Sequence, residues 1–415
     1  MENSKWLEPV LRYLRAGTRF QLSERCPSIR PLEKNTVLHI KLLQLCQDAV
    51  NIDDSLLYEI SVVEDHVHPI GLDLDEHCSI DMDIQVEQKQ NEILIDNRSE
   101  ELARANIDYE QNLITREKRR IANLPNEEER VKPRAALDRR TMIHQMKSLR
   151  LISSITNIPP LTVGLNPIEH HMSFSIHRTK SGNDGYLVKI TTIHEERLTY
   201  DKKLHDAQFY ILEKLFGGRS CINVLTLSID SIGILRIPSN LNLKFQGLDC
   251  YEYEPDNILK ALRPFLTPSV LPLKTLQICS VPEMPHPIVE SAEELTLITK
   301  DRLITLTNLK VTVLSYDMKS VEEPAELIKK WLRDGKQIGT VFTLSSFKEI
   351  KSKILLDDVK RRFKEKIVRV EESNGDLTSV TLSMNDSAEL VIQRDLVQNT
   401  WKVILKVQSS REEEI

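Results

Sequence analysis

Four side chains with metal-binding chemistry fall close together in this sequence: His66, His68, His77 and Cys78. Zinc accepts imidazole and thiolate, and an H-x-H spacing brings two rings to the same side of a strand. The tighter pairings of known zinc families are missing, and acidic residues intervene, so the stretch reads as a surface loop and no metal or other cofactor is expected. His170 and His171 are adjacent, which on a strand points their rings to opposite faces. No G-x-S-x-G elbow exposes a serine, and neither G-x-x-x-x-G-K nor G-x-G-x-x-G is there to cradle a phosphate. With only 12 glycines in 415 residues, close backbone approach to a phosphate is poorly served. The carboxylate pairs Glu195-Glu196 and Glu322-Glu323 sit beside strand ends or helix starts, where solvent or the helix dipole accounts for them. The expectation is a protein that is not an enzyme, has no catalytic residue and works by contact.

Composition narrows the kind of contact. Hydrophobic residues make up 40% and charged residues 28%, ordinary for a globular protein with a real core. A net charge of -6 argues against nucleic acid, since counterion release needs a concentrated basic surface, and the run from Arg116 to Arg120 reads as a solvated helix face. No run reaches the roughly 18 apolar residues that span a bilayer, and the first residues carry no signal-peptide pattern. No membrane contact is expected, and the expected location is intracellular, cytoplasmic or nuclear. Six cysteines, scattered and without a C-x-x-C pair, read as small buried hydrophobes of a reducing compartment.

The elements that would carry a contact surface begin at the chain start. Leu7, Val10, Leu11 and Leu14 recur at helical spacing, Gly17 ends that turn, and Arg19 to Ser23 start a second helix before Pro27 stops it. Two such short helices make a docking module. Trp6 has little chain around it to bury it and joins the stripe as a candidate contact. Trp331, on the stripe Leu327, Ile328, Trp331 and Leu332, reads as core instead. Val37 to Leu42 and Ile60 to Val62 alternate as half-buried strands. Asp73 to Glu87 reads as loop or weak strand, Ser99 to Ile121 as a long exposed helix, Arg134 to Leu149 as a second helix and Ile152 to Pro167 as a linker.

Beyond residue 167 strands and helices alternate. A hairpin is expected around Ser181 to Gly185, and a helix over Leu204 to Phe216 ends at Gly217-Gly218. Strands at Leu225 to Ile229, Leu276 to Ile278 and Leu309 to Val313 are separated by helices, notably Ile258 to Leu266 with Asp256 as its cap. This predicts a divergent, leucine-rich-repeat-like array of parallel strands buried on both sides. A helix over Glu323 to Asp334, a strand over Ile338 to Leu344, a helix near Ile350 to Phe363 and four alternating strands follow, the last ending before a frayed tail at Ser409.

The pattern V-L-x-Y-L-x-x-x-x-R-x-x-L-S-x-R-C-P-S-I-R-x-x-E-K, from Val10 to Lys34, resembles the opening of a nematode family expanded in Caenorhabditis. Its members are catalogued in part as F-box C proteins or left as a domain of unknown function. Tyr200 to Ala207, Leu212 to Arg219, Ile222 to Val224, Gly233 to Pro238, Leu259 to Leu266, Leu271 to Leu276 and Trp331 to Thr340 are similar to its later blocks. The order Trp6-Leu7-Glu8-Pro9 departs from the Leu-Pro pair that usually opens an F-box. The resemblance implies a substrate-recognition subunit of a ubiquitin ligase that binds a Skp1-type adaptor through Trp6, Leu7, Val10, Leu11 and Leu14 and holds an unknown target protein. The alternatives are a recognition scaffold without adaptor binding and, third, an unrecognised enzyme. The fold class expected is α+β or α/β: residues 1–60 F-box-like helices with a small β region, 61–98 acidic loop or weak strands, 99–150 exposed charged helices, 151–365 an α/β repeat-like domain, 366–408 an antiparallel β-meander and 409–415 a tail.

Overall fold

The structure is a computed structural model that describes residues 4–64 except 54, 88–89, 92–96, 115, 170–181 and 188–199, and residues 203–410 apart from breaks at 231–232, 251–254, 283–285, 299–302, 315–321, 347–348, 374 and 398–399. Residues 1–224 with 230–243 form one compact unit, and residues 225–229 with 244–415 form another. His66, His68, His77 and Cys78, the acidic stretch 73–87, the helix expected over 134–149 and the linker 152–167 lie outside the described residues. So does the helix expected over 99–121, except for Thr115, which is helical.

The first unit opens with helices α1 (Ser4–Tyr13), α2 (Ala16–Arg25) and α3 (Arg30–Asn35). Gly17 does not end α1. The chain breaks earlier, at Arg15, which is extended at φ -61 and ψ 149, and Gly17 falls in the first turn of α2. A Cβ there would come within 3.3 Å of Leu56, so the glycine lets α2 lie close against the following sheet. That sheet is antiparallel, its strands β1 (Leu38–Cys46), β2 (Ala49–Ile52) and β3 (Leu56–Glu64) pairing in sequence. In β1 the buried phase shifts from Leu38 and Ile40 to Leu43 and Leu45. The shift falls at Lys41 and Leu42, whose amides both donate to Asp53 Oδ1, at 2.6 and 3.3 Å. Strand β4 (Glu92–Asp96) pairs apart from this sheet, while β5 (His170–Ser181) and β6 (Val188–Thr199) extend it as the expected hairpin, longer than the sequence suggests. Helix α4 (Leu204–Phe216) buries Leu204, Ile211, Leu212 and Phe216, and Gly218 takes φ +69 after its end.

Strand β7 (Ile222–Asp230) lends residues 225–229 to the second unit, and β8 (Ile234–Pro238) pairs with β4 in the first. The second unit is built on one mixed sheet. Its parallel part joins β9 (Leu243–Cys250), β10 (Thr275–Ile278), β11 (Glu294–Leu297), β12 (Lys310–Val313) and β13 (Val341–Ser346), in register throughout. Helix α5 (Pro255–Ala261) and α6 (Pro287–Ser291) lie between the first of these strands, and α7 (Glu322–Asp334) and α8 (Glu349–Arg362) flank β13 in sequence. Asp256 sits inside α5 rather than capping it, since the helix already starts at Pro255. The parallel strands are not buried on both sides. β10, β11 and β12 each read exposed, buried, half-buried, buried, so Leu276, Ile278, Leu295, Leu297, Val311 and Val313 face the core while Gln277, Thr296 and Thr312 form a wet face.

The four-strand meander is present as β14 (Ile367–Ser373), β15 (Asp376–Asn385), β16 (Ala388–Val397) and β17 (Thr400–Ser409). Its last strand pairs antiparallel with β13, so ladder and meander share one sheet, with α8 packed on β13, β15, β16 and β17. The α+β class holds. Cys250 and Cys279 are buried and Cys46 and Cys221 half-buried, but Cys26 is exposed, because it stands at the bend between α2 and the 3-10 turn that follows. Among the described residues no helix is long and apolar enough to cross a membrane.

Candidate functional site

The first helix divides its apolar residues between two directions. Leu11 is fully buried and Leu7 and Leu14 are half-buried, whereas Trp6 is 82%, Val10 51% and Tyr13 90% exposed, with Pro9 exposed between them. At 3.6 residues per turn, positions 6, 9, 10 and 13 share one face and positions 7, 11 and 14 lie about a third of a turn away. The sequence stripe thus holds both an inner face that anchors the helix and an outer one that water covers. Of its five expected contact residues, Trp6 and Val10 stand outward. Tyr13 and Pro9, which the sequence reading left out, complete the outer row; a helical wheel drawn from Trp6 would have found them.

The platform behind this row is held by buried charge. Glu33 on α3 accepts from Arg19 Nε at 2.9 Å and from Arg219 Nη1 and Nη2 at 2.7 and 2.9 Å. Arg19 spends its remaining donors on the carbonyls of Val37, Glu33 and Thr36, at 2.6–2.8 Å. The Arg219 guanidinium also lies 5.0 Å from the Phe20 ring, which meets Phe216 edge-on at 5.9 Å. Burial pushes the Arg19 pKa down from its ordinary value, the Glu33 carboxylate opposes that, and Arg219 adds to it. Removing one carboxylate from such a group strands two cations, so α2, α3 and the end of α4 are held together by it. Lys34 adds a bond to the Gly217 carbonyl at 2.7 Å.

A second polar chain crosses three strands of the same unit. Glu59 Oε2 lies 3.3 Å from His177 Nε2, and His177 Nδ1 lies 3.2 Å from Thr192 Oγ1. Carboxylate, imidazole and hydroxyl in that order are the parts of a nucleophile relay. Thr192, however, stands exposed on β6, the terminal strand of its sheet, where water competes for any charge that develops. The chain reads as cross-strand stitching. Among the described residues no group of three His, Cys, Asp or Glu side chains is placed to hold a metal.

The other sequence candidates scatter. Trp331 is buried on α7 with its ring 4.8 Å from Phe342, edge-on, and Trp401 lies under the Arg394 guanidinium at 5.2 Å. Glu322 is ion-paired to Arg362, which lowers the carboxyl pKa, and Glu195 and Glu196 lie exposed on β6.

Residues 203–348 match a known family model. It is described as a domain of unknown function (DUF3557), and the match runs from the start of α4 past β13. Most of the later sequence blocks quoted above fall within it. No curated protein and no solved structure matches the chain.

Proposed function

We propose that this chain is a non-catalytic protein-interaction protein, an F-box-type substrate-recognition subunit that docks a Skp1-type adaptor on the outer face of α1. The observation that carries the reading is the row Trp6, Pro9, Val10 and Tyr13. A soluble helix turns its large apolar side chains inward, and this one spends Leu7, Leu11 and Leu14 that way while leaving two aromatic rings in water. Apolar anchors at i, i+3, i+4 and i+7 are the pattern by which a helix enters a partner's groove. The target surface in this reading is the wet face of the β10–β13 ladder, where Gln277, Thr296, Thr312 and Thr343 fall opposite one another in register. We take the ladder as a divergent leucine-rich repeat. Its strands begin at residues 275, 294, 310 and 341, an irregular spacing, but Asn308 sends its amide to the carbonyls of Val289 and Ala292 at 2.6 and 3.1 Å, tying one turn of the array to the next.

The second reading is a recognition scaffold without adaptor binding, favoured by the Leu7-Glu8-Pro9 order in place of a Leu-Pro opening. Capture of a purified Skp1-type adaptor by the full chain separates the two. The first reading expects capture by the wild type and its loss in Val10→Asp, which alters the outer row alone. A charge at Leu11 would not separate the readings, since Leu11 is fully buried and its replacement disturbs the fold. Failure of the wild type to capture the adaptor would leave the scaffold reading.

A further inference from the structure

We infer that the partner of α1 is a protein whose apolar groove is rimmed by carboxylates, an inference that rests on the docking reading above and adds the chemistry of the partner. Residues 4–36 carry seven Lys and Arg against three Asp and Glu, whereas the whole chain carries 56 against 62. The helix trio is a basic island on an acidic protein. Of its three carboxylates, Glu33 is buried between Arg19 and Arg219, Glu8 is held by Arg12 at 2.6 Å, and Glu24 stands exposed on α2. Arg15 stands exposed just past the end of α1, and Arg25 is exposed on α2. Among the exposed charges Arg12, Arg15, Arg25 and Arg30 outnumber Glu24, so acidic residues at the groove edge would speed encounter and fix register.

Other occupants fit less well. A second copy of the chain would bring one basic trio against another, which like-charge repulsion opposes. An anionic bilayer would welcome Trp6, Tyr13 and the arginines, but it rewards a broad apolar face. Here Leu11 is turned into the core and Leu7 and Leu14 are half-buried, which leaves a ridge of about 10 Å from Trp6 to Tyr13. A narrow ridge suits a groove.

The test uses the full chain and a purified Skp1-type adaptor, comparing wild type, Trp6→Ala, the double variant Arg12→Glu/Arg15→Glu and Lys364→Glu, an exposed charge reversal in the other unit. The expected result is tenfold or greater loss of affinity in the double variant, little change in Lys364→Glu, and wild-type binding that weakens as salt rises toward about 0.5 M. Melting temperatures equal to wild type show that the variants fold. If Trp6→Ala abolishes binding while the double variant and salt leave it unchanged, the acidic rim is wrong and the docking reading survives. If the wild type does not bind the adaptor, both fall. Phosphatidylserine–phosphatidylcholine vesicles are the last arm, and binding to them that the same arginine reversals abolish would overturn the groove in favour of a membrane surface.

Discussion

Glu33 is a single carboxylate that satisfies two buried guanidinium groups, and its removal tests the welded platform. Glu33→Ala should cost about 3–5 kcal/mol in urea unfolding, because Arg19 and Arg219 stay buried without their counter-charge; a loss below about 1 kcal/mol would show that the arginines find other partners. Asp48 offers a test through pH. Burial, with Glu59 and Asp230 nearby, raises its pKa from 3.8 to about 6, against a smaller lowering by a backbone hydrogen bond. The folded state therefore holds a proton that the unfolded chain has released. The stabilisation from the neutral carboxyl is complete below about pH 4 and lost as pH rises through about 6. Stability should fall across that window in the wild type and less steeply in Asp48→Asn, and identical slopes would remove Asp48 as the cause. Neither group was legible in the sequence. Glu33, Arg19 and Arg219 are spaced like ordinary surface charges, and Arg219 is far from the other two along the chain, so only the fold reveals that they meet.

At the level of elements, periodicity carried the reading where one face is dry and one is wet. α7 shows this: Leu327, Ile328 and Trp331 recur on one stripe, and all three are buried. Trp331→Ala should cost about 3–5 kcal/mol, the usual range for a buried large aromatic, and an unchanged denaturant midpoint would contradict its place against Phe342. Short strands were harder. β11 is four residues long, too short for alternation to stand out in the sequence, so the array is denser than the strand pattern suggests. α1 was legible as a helix but not in its orientation. Pro9 and Tyr13 do not look like core formers, and the leucine stripe drew Val10 into the same set as Leu11, although the two point in different directions.

For the molecule as a whole, the matched segment 203–348 does not coincide with a folding unit. Arg219 needs Glu33 from upstream, and β13 pairs along its length with β17 from downstream. A fragment of residues 203–348 should therefore lack a cooperative urea transition while the full chain shows one, and a sharp transition in the fragment would contradict the unit boundaries. The block pattern of the sequence marks a recurring segment, not a self-sufficient body. The central claim is that the outer face of α1 is a docking surface and not part of the core. Calorimetric titration of a Skp1-type adaptor into the full chain and into Trp6→Ala/Tyr13→Ala tests it most directly. The wild type should bind and the double variant should bind at least about tenfold more weakly, since buried aromatic anchors dominate such interfaces, with an unchanged melting temperature. Equal binding by the two proteins, no binding by the wild type, or a double variant that unfolds would contradict it.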